Sequence, residues 1–530
     1  MEHANRWYYL LMAIIVCAGP AFSDSLPVFP GAQGFGCYTP AGRGGKIIKV
    51  TNLNDDGPGS LREAVEQSGP RIVVFEVGGI ITQNSYLRIR DPYITIAGQT
   101  APSPGITLTG RQGIWVYTHD VLIRHIAVRL SDSRSPWIGP NDTEQRISLS
   151  IHNRGGNPYN LVFDHCSFMW HNGKVQVWGD CKEETHNDFT FTNCIISEGL
   201  LNSLHYEGAH SKGMLIGNIL RRISVIRCLF SHNGDRNPLI KGGSRGVVVN
   251  SAVYNPMISG IVGTWTTFCD GGARSVRMVA IGNVLKSGVN TALIGNSFVN
   301  YPGGGSSVVY YEDNVADRNY QDDNGDPSQM AATPQEALWH ESIKVFPSSK
   351  TWDCVLSNVG PRPLDRDTVE RRVISDVING TGRIIDSPSE VGGLPDHQMV
   401  TRTLDIPANP DADDDNDGYT NVEEWLNRMA DELEAPSSCE GAELHIHGKK
   451  VEPQFDVPGI RILETPEGFE LQLPFDRACR VAIYRPDGRC ICRIRRERSK
   501  PIRITDNLLQ TGLNILTFDK SENRAIRILK

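Results

Sequence analysis

The stretch NGDRNPLIKGGSRG, residues 233 to 246, holds three cations, Arg236, Lys241 and Arg245, against one acid, Asp235. The wider window from Lys212 to Arg245 carries seven cations (Lys212, Arg221, Arg222, Arg227, Arg236, Lys241, Arg245), and Asp235 is its only acid. That is a local charge of +6 in a chain of 530 residues whose formal net charge is −8. Positive charge concentrated on an acidic protein is a site for an anion. Few aromatic residues are interleaved for base stacking, so nucleic acid is a poor ligand. An acidic polysaccharide fits better. Arg221, Arg222 and Arg227 read as solvated coil residues, which leaves Arg236 and Lys241 as the candidates for chemistry.

A second motif is independent of the first. Asp413, Asp415, Asp417, Gly418 and Glu424 fit D-x-[DN]-x-[DN]-G-x5-E without a gap. Ca2+ takes hard oxygen ligands, the glycine allows a sharp turn, and the last glutamate can bind through both oxygens. Tyr419 would offer its carbonyl and Asn421 the water-linked position. The expected role is structural; the bland alternative is a solvated acidic linker. No pair of CxxC motifs is present, which argues against structural zinc.

The elements that position these residues are short strands. From about Arg71 to Arg318, runs such as RIVVFEV, YITIAG, LVFDHCSFMW, ISVIRCLF and VRMVAIGNVL recur between Gly/Asn turns. Aligning them puts Cys166, Cys194, Cys228, Ser251, Asn283 and Asn314 in one column at a loose period. Such a period built from strands predicts an all-β parallel solenoid with variable loops, each coil burying its apolar face on the next. A β-sandwich is the rival fold and would prefer more even spacing. The column makes the three cysteines most simply stacked core thiols, with a structural disulfide among them as the alternative. GPGSLREAVEQSGP predicts a short helix capped by Ser60, with Leu61, Ala64 and Val65 on one face to close the open end of the solenoid. Asp164 and His165 read as structural coil residues pointing into the stack.

Around this core, residues 1–23 read as a secretory signal with a small-x-small site at Ala21-Phe22-Ser23, too short to span a membrane. Removing Cys17 from 12 cysteines leaves an odd number in the mature chain, so one thiol is unpaired or bridges between molecules. The expected domains are the solenoid over 24–400, the acidic loop and helix over 401–435, and a small C-terminal β-sandwich over 440–530. The reading is a secreted or surface protein that acts as a monomer.

FPGAQGFG, GGKIIKVTNLNDDGPGSLREAV, YITIAGQTAP, FDHCSF, HSKGMLIG, RNPLIKGG and NGTGRIIDSPSEVGG make the chain resemble polysaccharide lyase family 1, the pectate lyases, from roughly Phe29 to Asn427. The resemblance implies a right-handed parallel β-helix that cleaves pectate, or its ester pectin, by β-elimination. It makes Arg236, in R-x-P, the base that removes the proton on C5. It makes Lys212 the grip on a substrate carboxylate and puts Lys241 where a second arginine binds substrate. A lysine there keeps the charge but loses the two-pronged contact. Arg245 joins them as a further substrate contact.

The sequence departs from the family at the groove calcium. Asn172, Gly173, Lys174 and Gln176 stand where carboxylates are expected, and Ile147 stands near the usual aspartate. Lys174 could supply positive charge directly, as in calcium-independent pectin lyases. Two alternatives follow: a binder of acidic polysaccharide without catalysis, and a calcium-independent pectin lyase-like enzyme. A glycoside hydrolase needs paired carboxylates, and Asp164, Asp180 and Asp235 make no convincing pair. The tail resembles the C-terminal sorting domains of type IX secretion, with an accessory or carbohydrate-binding module as the alternative.

Overall fold

The structure, a computed structural model, describes residues 26–436 apart from 134–142, 153–155, 180, 182–186, 265–271, 273, 293–295, 302–306, 318–319 and 326–329. Beyond residue 460 it describes strands only. The expected leader, Cys17 and Asp180 lie outside the described residues. The chain divides into two units, Met1–Ile446 and His447–Lys530.

In the first unit, short apolar strands stack into three sheets of ten, nine and ten strands. The first sheet runs from Lys46–Val50 to Val308–Glu312, the second from Leu87–Ile89 to Tyr320–Gly325, and the third from Val77–Gln83 to Val315–Ala316. All pairings are parallel except Val400–Thr401, which closes one edge of the third sheet antiparallel. This is the expected parallel β-helix. Register places like residues above one another: Ile96, Ile123, Phe163, Phe191 and Val225 form one inward column, with Phe163 and Phe191 stacked at 4.9 Å. Burying such a side chain contributes about 1.5–3 kcal/mol.

The predicted column also forms. Cys166, Cys194 and Cys228 are buried free thiols, and Cys181 and Cys354 are the described cysteines in disulfides. Ser251 Oγ accepts from the Cys228 amide (3.1 Å), Asn283 Oδ1 from the Ser251 amide (2.8 Å), and Asn314 Oδ1 from the Asn283 amide (3.2 Å). Each column residue follows one residue in left-handed conformation: His165, Asn193, Arg227, Asn250, Gly282 and Asp313 have φ between 46° and 67°. Asn, Asp and His are enriched there and glycine is at ease.

Ser60 caps helix Leu61–Glu66 as expected, its Oγ accepting from the Glu63 amide at 3.1 Å. Leu61, Ala64 and Val65 join the solenoid core. Helices Ser348–Asn358 and Thr368–Asn379 lay Val355, Val369, Val373 and Val377 on Met169, Ile195 and Leu229, covering the outer face of the third sheet. Helix Asn421–Asp431 lays Val422, Trp425 and Leu426 on Ile72, Val74 and Ala97 of the first sheet. Among the described residues, no comparable apolar cluster forms over the outer face of the second sheet, which is left for a site. The second unit holds two antiparallel sheets, of three and four strands.

Candidate functional site: a cationic groove on the second sheet

Lys174 immediately precedes the second-sheet strand Val175–Trp178, whose Val175 and Val177 point into the core. Alternation therefore turns Lys174 and Gln176 outward. Lys174 is nonetheless only 6 % exposed. Burial, then the charges of Arg236 and Lys212, push its ammonium down to about 8, against a partial opposing pull from Glu207. Among the described residues it has no hydrogen bond or ion pair.

Lys212 and Asp235 bridge the next two coils, with Lys212 Nζ 3.1 Å from Asp235 Oδ2. Asp235 Oδ1 accepts from the Arg236 amide at 2.8 Å and from the Ser259 hydroxyl. Burial alone would raise this carboxyl; Lys212 and those hydrogen bonds bring it below the usual carboxylate range. The one acid of the cationic window thus fixes two members of the site. Arg236 itself is left-handed (φ 63°) and precedes a cis Asn237–Pro238 peptide. Here the pairing offset slips from Lys212↔Asp235 to Leu215↔Leu239, one residue more. Arg236 is at that bulge. A left-handed non-glycine residue costs about 1–2 kcal/mol, and such strain concentrates at functional sites. Lys241 follows strand Leu239–Ile240, where burial and then Arg236 lower its ammonium from the ordinary lysine range.

Arg245 is not brought to this group. It opens the first-sheet strand Arg245–Val249, paired with Arg277. Arg222 pairs with Asp188. Arg227, expected to be a solvated coil residue, occupies a left-handed corner and donates from Nε to Asn193 Oδ1 at 3.1 Å.

The expected groove carboxylates are absent, as the sequence indicated. Asn172 is fully buried, its Oδ1 accepting from the Arg146 amide and its Nδ2 donating to the Glu144 carbonyl. Ile147 and Gln176 are buried. These groups do not fit a calcium ion.

Three residues missed by sequence reasoning join the groove: His205, Glu207 and His210. They come from the loop between strands Ile195–Ser197 and Met214–Gly217. The two rings stack at 3.7 Å, and Glu207 Oε2 lies 3.2 Å from His210 Nε2. Burial, then Lys174, push His205 down to about 4; burial, then His205, push His210 down to about 3. Both rings are neutral at pH 7, and the three donor atoms are close enough to share a metal. Nothing in the loop's sequence beyond the HYEGAH residue types signals this placement.

The Asp413 loop has the conformation its motif demands. Asp413 Oδ2 accepts from the Gly418 amide (3.0 Å), Asp415 Oδ1 from the Asp417 amide (3.1 Å) and Asp417 Oδ1 from the Tyr419 amide (2.8 Å). Gly418 has φ 101°. Asp413 Oδ1 is buried with no partner. The Glu424 carboxyl is raised by desolvation and then by Asp415, Asp417 and Asp413. Oxygen donors crowded this way fit a calcium ion.

A separate cavity of about 550 Å3 outside the first sheet is lined by Phe29, Arg124, Asp164, His165, Arg227 and Glu434 among others. Asp164 faces outward, not into the stack as expected, because its neighbour Phe163 takes the inward position. Its oxygens are occupied by Arg124 Nε (2.9 Å), His165 Nδ1 (2.9 Å), Thr192 Oγ1 (2.7 Å) and Asn193 Nδ2 (3.1 Å). Saturated this way, Asp164 has a structural role, as expected from the sequence.

Coils and cations together define the class: a parallel β-helix with a cationic groove along one sheet. No family model matches the chain. "Probable pectate lyase C" of Emericella nidulans is 31% identical over 456 residues, covering 82% of this chain and 94% of that one. The protein of the same name from Aspergillus flavus is 29% identical over 437 residues, covering 77% and 95%. Among solved structures, a pectate lyase of Bacillus subtilis aligns with TM-score 0.44 and 13% identity over 64% of this chain and 98% of that one. The chain belongs to the pectate lyase family.

Proposed function

We propose that the protein cleaves pectate, a polygalacturonate-type uronate polymer, by β-elimination, with Arg236 as the base. The observation that carries this reading is Lys174: a buried ammonium with no ion-pair partner among the described residues, within electrostatic reach of Arg236, in a chain of this family. An unpaired buried charge is costly, and a substrate carboxylate would relieve it. Lys174 then supplies positive charge at the place where carboxylates would otherwise hold a calcium ion.

Lys174, Lys241 and a Lys212 released in part from Asp235 would hold uronate carboxylates and stabilise the charge that develops at C5. Arg236 takes the C5 proton. The C5–H electron pair becomes the C4–C5 double bond, and the C4–O pair leaves with the glycosidic oxygen, which takes a proton from solvent. Arg245 lies off this sheet and contributes to long-range attraction only.

The loop residues Asp413, Asp415, Asp417, Tyr419 and Glu424 would bind a structural calcium that fixes helix Asn421–Asp431. We read residues 1–23 as a leader that exports the chain as a monomer, 24–400 as the lyase solenoid and 401–435 as its calcium-loop segment. The strands beyond residue 460 belong to a sorting or accessory module over 440–530.

The test is the ultraviolet absorbance of the unsaturated uronate end. Polygalacturonate incubated with the protein gains it, and Arg236→Ala does not produce it; full activity in that variant ends the role of Arg236. The absent groove carboxylates favour one second reading, a binder without catalysis. Such a protein would retard polygalacturonate without shortening it.

A further inference from the structure

The outer face of the second sheet carries more than the groove cations. Register sets Arg88 beside Trp115, with Ser150 and Gln176 beyond them. One residue past Ile89, Val116 and Ile151 come Arg90, Tyr117 and His152. Alternation turns both rows outward, because Leu87, Ile89, Ile114, Val116, Leu149 and Ile151 fill the core.

The rings are in mutual contact. Tyr86 and Trp115 lie 4.5 Å apart between centroids, Trp115 and Tyr117 6.1 Å, and Trp115 stacks with His152 at 6.3 Å and 8°. The Arg88 guanidinium sits 4.9 Å over Tyr86 and that of Arg90 5.0 Å over Tyr117. Among the described residues neither arginine has a carboxylate within ion-pair distance, and the buried Trp115 Nε1 has no acceptor. A cluster of tilted aromatic rings edged by arginines suits a sugar ring, whose C–H face packs on aromatics while its carboxylate meets a guanidinium.

We propose that Trp115 and Tyr117, flanked by Arg88 and Arg90, form a remote subsite that holds a run of the acidic polysaccharide away from the bond being cut. The occupant is set by charge complementarity and by continuity. The Trp115 strand is two strand spacings, about 10 Å, from the strand that Lys174 precedes. One extended polymer would cross both. The inference rests on the proposed action on a uronate polymer, and it adds a preference for long chains.

The test compares polygalacturonate with trigalacturonate, too short to reach from Trp115 to Arg236, whose coil lies four strand spacings, about 19 Å, away. In Trp115→Ala and, separately, Arg90→Ala, the ratio of kcat/KM for the polymer to that for the trimer is expected to fall about tenfold. An unchanged ratio in both variants overturns the subsite. A binding measurement keeps the result independent of catalysis: retardation of the full chain by polygalacturonate in a gel, in an Arg236→Ala background. Loss of retardation on adding Arg90→Ala, an exposed change that leaves the core intact, supports the subsite even if the protein proves not to be a lyase. Full retardation in that double variant overturns it.

Discussion

Lys174→Met separates binding from stability. Its ammonium is depressed from 10.5 to about 8 by burial and like charge. At 1.36 kcal/mol per pH unit, that shift amounts to about 3 kcal/mol by which the folded chain disfavours the charged form. Below about pH 8 both folded and unfolded chains carry the proton, and the whole cost stands. Between about 8 and 10.5 the unfolded chain binds more protons than the folded one, so stability rises with pH; above 10.5 the cost is gone. Methionine fills similar space without charge. The variant is therefore expected to be more stable than the parent by roughly 2–3 kcal/mol at pH 7, with the difference closing as pH approaches 10.5. Urea unfolding of parent and variant at matched pH measures it, since groups common to both cancel in the difference. The same variant should bind polygalacturonate more weakly and show a higher KM. A variant less stable than the parent at pH 7, or a gap that does not change with pH, would refute the account of Lys174 as an unrelieved buried cation.

Further outcomes follow from other parts of the fold. Calcium should raise the thermal midpoint of the parent, by the equivalent of about 2.7 kcal/mol at a hundredfold excess over Kd, and Asp413→Asn should abolish that rise. Asn283→Ala orphans the Ser251 amide and takes one hydrogen bond each from the Val248 carbonyl and from Asn314 Oδ1, which keeps the Asn283 amide; denaturant titration should show a loss of about 2–4 kcal/mol. Burial opposes ionisation of Glu434, but His165 and Arg124 outweigh it and hold the carboxyl at about 2, below its ordinary 4.5. Its contribution is present above about 4.5 and lost as pH falls toward 2, so Glu434→Gln should flatten the acid limb of a stability-against-pH curve.

The solenoid was legible because stacking repeats one residue type at one place: a column of Cys, Ser and Asn can be aligned without knowing the loops. The capping helix was legible from Ser60 and Glu63. Helix Thr368–Asn379 was overlooked although Val369, Val373 and Val377 repeat every fourth residue, because it lies beyond the strand runs on which the reading rested. The direction of Asp164 was misjudged because the left-handed corner after it breaks the two-residue alternation on which such a reading depends. Charge density pointed to the segment that brings Arg236 and Lys241 to one sheet, since net charge in a window survives ignorance of the fold. It could not exclude Arg245, which the three residues after Lys241 carry to another sheet. Nor could it find Glu207 and its two histidines, which reach the groove only through the path of a loop.

The left-handed corner between the first and third sheets has a consequence for how such proteins diversify. One residue and its ladder neighbour make that turn from His165 to Asn314, leaving no room for an insertion without breaking the column of thiols and amides. Differences in coil length must therefore be absorbed elsewhere. They fall on both margins of the second sheet: 170–174, 179–188, 198–213, 232–238 and 264–276 all differ in length. The fold works as a chassis with one sealed seam and two open ones, and both open seams border the groove. New loops can be tried beside the polymer while the seam that holds the coils together stays untouched, so specificity can drift without the stack having to be rebuilt.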